Sequence, residues 1–317
     1  MPRLASPVHA SQLRAFIAAR RGGRAHTIDT GQAPISIHTT ATATSSLTYS
    51  RLALALLAFG LAAPSRAMGQ TREPEIARYR FVSDAATAGL WVNPGAAGFN
   101  RRVKLIGHYT WNRPREEGWT TAQYLVGLQS GVVGFGYRHD EFDDGPFSQG
   151  DAYTVSVGIA DARTGLGLSR TWRTVGPAEG SWELGALARA SDRVTLGLVW
   201  RDIGSPEVRE ETRESRLLAA VTVAPPKGRF SFSAQADYRT GGGGFRAFRI
   251  GGTAAVLEVM NGLAVAEWDG DGDFLGLSLG VQIRQTTGAA IGVVGLDSSG
   301  DARTASAGLL ADVGQRP

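Results

Sequence analysis

The sequence predicts an all-β fold, a transmembrane antiparallel β-barrel of about fourteen strands with a short N-terminal helical hatch. Three observations predict it. Side-chain polarity alternates with period two through almost everything after residue 100. The alternating segments mostly run to the roughly 9–11 residues that a tilted strand needs to cross a bilayer, longer than the ~5–6 usual in globular proteins. The connections alternate, over the first half, between long charged ones and tight ones, as outer-membrane barrels alternate external loops with periplasmic turns.

The chain divides into four stretches. Residues 1–50, rich in Arg, Ala, Ser and Thr and without a period, read as a disordered or non-native extension. Residues 51–67 read as a signal peptide: Arg51, the uncharged run Leu52–Ala63, then Ser65-Arg66-Ala67 with small residues at −3 and −1, which places the mature start near Met68. That apolar run is shorter than the ~20 residues of a spanning helix. Residues 68–100 form the hatch segment and 101–317 the barrel.

Within the hatch segment, Ser83 and Asp84 are helix-capping types, and Ala85–Leu90 suits a short apolar helix. Pro94 is expected to block its continuation, and Gly95 and Gly98 to turn the chain after it. A piece this short is not stable alone, so it must pack into something.

Strands are expected near 102–112, 120–129, 132–140, 152–160, 164–172, 181–190, 193–201, 214–223, 229–238, 245–256, 262–268, 274–283, 289–296 and 304–313. Phe274–Ile283 is typical: Leu275, Leu277, Leu279, Val281 and Ile283 oppose Gly276, Ser278, Gly280 and Gln282. The apolar faces are expected to meet lipid. The polar, glycine-rich faces then line the lumen. Lumen-facing candidates are Lys104, Arg138, Glu183, Arg189, Arg201 and Asp237, with Arg216 and Arg249 beside them. The inner glycines have two readings: they leave volume for the hatch, or they serve strand curvature. Trp111, Trp182, Trp200 and Tyr238 fall near strand ends on the apolar face, as an interfacial girdle requires.

Asp84 to Ala88, Trp91 and Asn93-Pro94-Gly95-Ala96-Ala97-Gly98 together resemble the N-terminal hatch signature of FadL-type outer-membrane barrels and their PorV-like relatives. Those families carry an Asn-Pro-Ala-Gly-like motif, whose small residues are reordered here. The resemblance covers under a tenth of the chain. It implies hatch-shaping roles for Asp84, Trp91, Asn93, Pro94 and Gly95, and passage or binding of small hydrophobic molecules. PorV-like relatives imply an alternative, an accessory or anchoring barrel for a secretion system. The barrel modules that accompany proteins resembling signal peptide peptidase A imply the same for an envelope peptidase. A soluble periplasmic β-sandwich is the further alternative.

Composition removes several chemistries. There is no cysteine, hence no disulfide framework or thiolate metal site. The formal charge is +4, but residues 1–67 hold seven Arg and one Asp, so they carry +6 and the remainder 4 − 6 = −2. A nucleic-acid partner is not expected for the rest of the chain. Gly276-Leu277-Ser278-Leu279-Gly280 matches a nucleophile-elbow pattern but lies inside an alternating strand. Asp269, Asp271 and Asp273 begin like a calcium loop, yet the later EF-hand positions are Phe274 and Gly280, so a polar hairpin turn with at most a weak Ca²⁺ site is expected. No catalytic residue, cofactor or strong metal site is predicted. The expected location is the bacterial outer membrane, and the expected partners are its lipid, a small hydrophobic ligand and a secretion or peptidase partner.

Overall fold

The computed structural model describes residues 73–84, 89–99, 102–113, 118–141, 149–173, 180–208, 211–225 and 228–313. The extension, the signal peptide and the start near Met68 lie outside the described residues.

Fourteen antiparallel strands close into a barrel. The first seven are β1 (Val103–Asn112), β2 (Thr120–Ser130), β3 (Val133–Glu141), β4 (Gln149–Ala160), β5 (Thr164–Arg173), β6 (Ser181–Arg189) and β7 (Val194–Arg201). The next connection is long and folds back on itself as a separate two-residue hairpin, β8 (Glu207–Val208) with β9 (Glu211–Thr212). The barrel resumes with β10 (Arg216–Val223), β11 (Phe230–Arg239), β12 (Gly244–Leu257), β13 (Met260–Asp269), β14 (Phe274–Gln285), β15 (Gly288–Asp297) and β16 (Ala302–Val313). Each barrel strand pairs with its neighbour in sequence, β7 with β10, and β1 closes on β16 from Val103↔Val313 to Asn112↔Thr304. Closure leaves no unpaired edge, the condition for a sheet in hydrocarbon. It also rules out the two-layer sandwich.

All fourteen expected segments are strands, with ends displaced by at most a few residues. The β8–β9 hairpin is additional; strands so short carry no readable period.

One rim bears the connections 113–119, 142–148, 174–180, 202–215, 240–243, 270–273 and 298–301. The other bears 131–132, 161–163, 190–193, 224–229, 258–259 and 286–287, and both ends of the barrel sequence. The outer surface is apolar and exposed: Val126, Phe135, Ile159, Leu166, Phe232 and Leu309 are each more than half uncovered. A continuous belt of this kind exceeds what a water-soluble surface tolerates and fits lipid. The chain is an outer-membrane-type β-barrel.

The inner face is less polar than the sequence predicts. Ile106, Leu125, Val199, Leu218, Leu263, Val265 and Val293 point inward and are buried against Ile76, Tyr79, Phe81, Val82, Leu90 and Trp91 of residues 73–99. The lumen therefore holds a dry core, a correction to a lining of only Gly, Ser, Thr and charges. Burying each large apolar side chain contributes roughly 1.5–3 kcal/mol.

Candidate functional site: the plugged lumen

Residues 73–84 and 89–99 form a plug inside the barrel with two short 3-10 helices, Glu75–Ala77 and Pro94–Phe99. The expected helix at Ala85–Leu90 is not seen: 85–88 lie outside the described residues, and Gly89 to Val92 are in turns. Pro94 starts a helix here, where it was expected only to stop one. Asn93 Oδ1 accepts from Gly95 N–H at 2.8 Å and Asn93 C=O from Ala96 N–H at 2.9 Å. This is an Asn cap with proline at the first helical position, where a missing N–H costs nothing.

A chain with so little regular structure has few internal partners for its backbone, and buried backbone groups need partners. The wall supplies them. Gln123 Oε1 accepts from Glu75 N–H at 2.8 Å, and Gln235 Oε1 from Val82 N–H at 2.9 Å. Arg201 Nη2 donates to Trp91 and Val92 C=O, each at 3.2 Å. Arg249 Nη1 donates to Ala77 C=O at 2.6 Å and Arg78 C=O at 3.1 Å. Asn93, fully buried, donates through Nδ2 to Val82 C=O at 2.6 Å and Ala186 C=O at 3.0 Å, tying both plug segments to β6. Tyr79 Oη and His108 Nε2 share a hydrogen bond of 2.6 Å.

The wall also makes room. A methyl at Gly127 would fall 2.6 Å from Trp91 Cη2, and one at Gly158 2.8 Å from the Pro94 carbonyl oxygen. Gly136, Gly167, Gly185 and Gly197 sit equally close to Trp91, Pro94, Asn93 and Val82. No side chain fits at these contacts, so the plug backbone lies directly on β4–β7 and its Leu90 and Trp91 side chains on β2 and β3.

Beneath the long-loop rim the predicted lumen residues divide. Arg138, Glu183, Arg201 and Asp237 join one ionic cluster, together with Arg216, Asp202 and Arg213. Glu73 of the plug bridges Arg201 (2.7 Å) and Arg216 (2.5 Å). Asp237 bridges Arg216 (2.9 Å) and Arg246 (2.6 Å), Arg138 pairs with Asp140 (2.9 Å), and Arg213 with Asp202 (3.2 Å). Glu183 lies 3.7 Å from Arg201 Nε. Burial pushes the Glu73 carboxyl up, but the guanidiniums of Arg216 and Arg201 outweigh it and hold it well below the usual carboxylate range. Lys104 and Arg189 belong to the opposite end. Lys104 is buried opposite Asp312 in register, and Arg189 is exposed with its guanidinium 4.6 Å from the Phe99 ring centroid. Arg189 therefore caps the plug from the rim.

No family model matches the chain, and no curated protein does. Solved structures similar to it are themselves barrels. A mutant of the Rh. blastica porin matches at 9% identity and TM-score 0.41, over 66% of this chain and 99% of that one. Omp33 of Acinetobacter baumannii matches at 8% identity and TM-score 0.45, over 68% and 99%. The fold assignment rests on the closed strand order, to which these low scores add nothing.

Of the remaining predicted residues, Trp91, Asn93, Pro94 and Gly95 are buried in the plug, and Asp84 pairs with Arg80 at 3.2 Å. Ser83 bonds Thr222 Oγ1 of the wall at 2.7 Å, so its hydroxyl is a wall contact. Asp269 Oδ1 accepts from Asp271 and Asp273 N–H at 3.0 and 2.8 Å. Asp297 does the same for Ser299 and Asp301, at 2.9 and 3.0 Å. Both are turn-closing aspartates with a glycine of positive φ, Gly272 or Gly300, at the same place. Among the described residues no group of three or more His, Asp or Glu is disposed to hold a metal. Sequence reasoning passed over Glu73, Gln123, Gln235 and Tyr79. Long amides on inward strand positions were the available signal for the two glutamines.

Proposed function

We propose that the protein is a plugged outer-membrane channel that passes or holds small, mainly apolar molecules, with no catalytic step. The supporting observation is a luminal chamber of about 60 Å³ between the plug and the β1/β14–β16 wall. Ile76, Ile106, Ile291 and Leu310 line it, with polar groups only at Tyr79, Arg80, His108 and Gln282. Apolar walls with a few convergent polar groups are the usual chemistry of a small-molecule site. Movement of the plug away from this wall would widen the chamber into a path. Uptake into liposomes carrying the full chain tests the reading. Apolar solutes should enter faster than sugars of similar size. Equal slow entry of both, or faster entry of sugars, would remove it.

The accessory-barrel reading has one observation in its favour. The lipid-facing surface of β5–β12 has a concavity of about 390 Å³, several times the luminal chamber. Ala186, Ala219, Ala234 and Ala236 form its floor, and Leu166, Leu196, Leu198 and Phe248 stand around it. A membrane partner, such as a secretion or peptidase component, would fit there. Ala219→Leu would fill the groove. If it abolishes co-purification of a partner and leaves uptake unchanged, the accessory reading replaces transport.

A further inference from the structure

Arg170 is a cation on the wrong face for the lumen. Along β5, Gly165 and Gly167 touch the plug, while Leu166 and Leu168 face lipid. Arg170 and Trp172 continue the lipid-facing series near the strand's long-loop end. Trp182 of β6 is the register partner of Arg170 and is 40% exposed on the same surface. The guanidinium carbon lies 5.1 Å from the Trp172 ring centroid and 5.0 Å from that of Trp182. Gly180 closes the clamp from behind: a methyl there would fall 2.8 Å from Arg170 Nε. Arg170 Nε is buried without a hydrogen-bond partner, and no carboxylate pairs with this side chain among the described residues.

The depth of this clamp is set by its neighbours. Trp111, Trp182, Trp200, Tyr238 and Trp268 all stand at the long-loop ends of their strands, and the short-turn rim carries no tryptophan among the described residues. Trp and Tyr gather at headgroup level. An arginine there lies against two indole rings with Nε buried, which leaves the edge of its terminal Nη1 and Nη2 groups to reach the membrane. That edge matches two oxygens of one anionic group, and bidentate phosphate is the geometry a guanidinium takes best.

We propose that Arg170, clamped by Trp172 and Trp182, is a binding site for the headgroup phosphate of an anionic lipid in the leaflet on the long-loop side. The site is independent of what the lumen carries. It fixes the height of β5 and β6 in the bilayer, beside the loop between them.

The test uses the full chain reconstituted in vesicles of phosphatidylcholine with one-fifth phosphatidylglycerol as the probe, extracted in mild detergent and weighed intact by native mass spectrometry. The wild type should retain phosphatidylglycerol in preference to phosphatidylcholine. Arg170→Gln should lower that preference roughly tenfold, the order expected on losing a hydrogen bond to a charged group. Arg170→Lys, which keeps charge but not the planar edge, should be intermediate and covers the case in which the glutamine variant fails to fold. Arg163→Gln, on a turn at the opposite rim, should match wild type. Unchanged retention in both Arg170 variants would overturn the proposal. So would complete displacement of the lipid by millimolar inorganic phosphate, which would mark a site for soluble anions.

Discussion

The two halves of the barrel wall hold the plug by different means. On β2–β7 the plug packs on inward glycines, its backbone on those of β4–β7 and its Leu90 and Trp91 side chains on those of β2 and β3, with Gln123 and Arg201 adding side-chain bonds. On β10–β16 and β1 the plug is reached by long side chains, Arg249 to Ala77 and Arg78, Gln235 to Val82, and His108 to Tyr79. Glycines are plentiful on that half too, but a methyl at Gly251, Gly276 or Gly280 would meet neighbouring strands, not the plug. The two readings of inward glycine therefore both hold, each on its own half. A rigid seat faces an adjustable side, and the chamber lies on the adjustable side. A plug that moves should move away from β14–β16 while staying seated on β2–β7.

The largest effect should come from Arg201, a wall side chain that bonds both plug segments. Arg201→Met would leave Glu73 with Arg216 alone and remove the donors to the Trp91 and Val92 carbonyls. Removing one partner of a buried ion pair costs about 3–5 kcal/mol. Plug seating should fail, and single-channel conductance in planar bilayers should rise to a sustained open level. A conductance equal to wild type would show that the glycine seat and the remaining wall side chains hold the plug without Arg201.

Arginine insertions separate the halves next. Ser156 of β4 is fully buried under the plug, whereas Ser278 of β14 is part-exposed on the inner face. Ser156→Arg should displace the plug, and Ser278→Arg should fold and conduct like wild type. Leu277→Arg, one residue away on the lipid face, should cut folding yield into bilayers, because a cation near mid-membrane costs ~2–4 kcal/mol. If Ser278→Arg harms folding as much as Leu277→Arg does, the faces of β14 are misassigned.

Much of this was legible in the sequence. Strand positions were, because alternation over a membrane-spanning length leaves little freedom in register or face. The dry lumen was hidden by that same rule, which reads the face opposite lipid as polar. Adjacent apolar pairs were the missed signal: Leu105-Ile106, Leu125-Val126, Val199-Trp200 and Leu217-Leu218 each put one side chain in lipid and one against the plug. The motif Asn93-Pro94 and its local cap were visible, but the bond from Asn93 to Ala186, which ties the plug to β6, is distant in sequence. The bond from Glu73 to Arg201 and Arg216 is longer still in sequence, and no local pattern encodes it.

A smaller effect tests the rigid seat directly. Gly136→Leu would force Trp91 and Leu90 off β3, since a methyl alone at that position already overlaps both. Overpacking costs about 1–3 kcal/mol. Fluorescence of Trp91, with the other tryptophans replaced by phenylalanine, should shift to longer wavelength as the ring meets water. Gly280→Ala, on the inner face of β14, where an added methyl meets Val293, Leu263 and the Gly292 carbonyl and no plug atom, should leave it unchanged. Equal shifts would dissolve the distinction between the halves.

The smallest effect is acid opening. Burial raises the Glu73 carboxyl, but Arg216 and Arg201 dominate, so its folded pKa lies well below that of the unfolded chain, near 4.3. A depressed carboxylate contributes stability that is fully present above the unfolded value and is lost as pH falls through the folded one. Conductance should therefore stay constant from pH 7 to 5 and rise only well below pH 4. Glu183 and Asp237 share the cluster, so the assignment needs a variant. Glu73→Gln is neutral throughout; it should conduct more than wild type at pH 7 and lose the acid step. An acid step that persists in Glu73→Gln would place the titration on the wall.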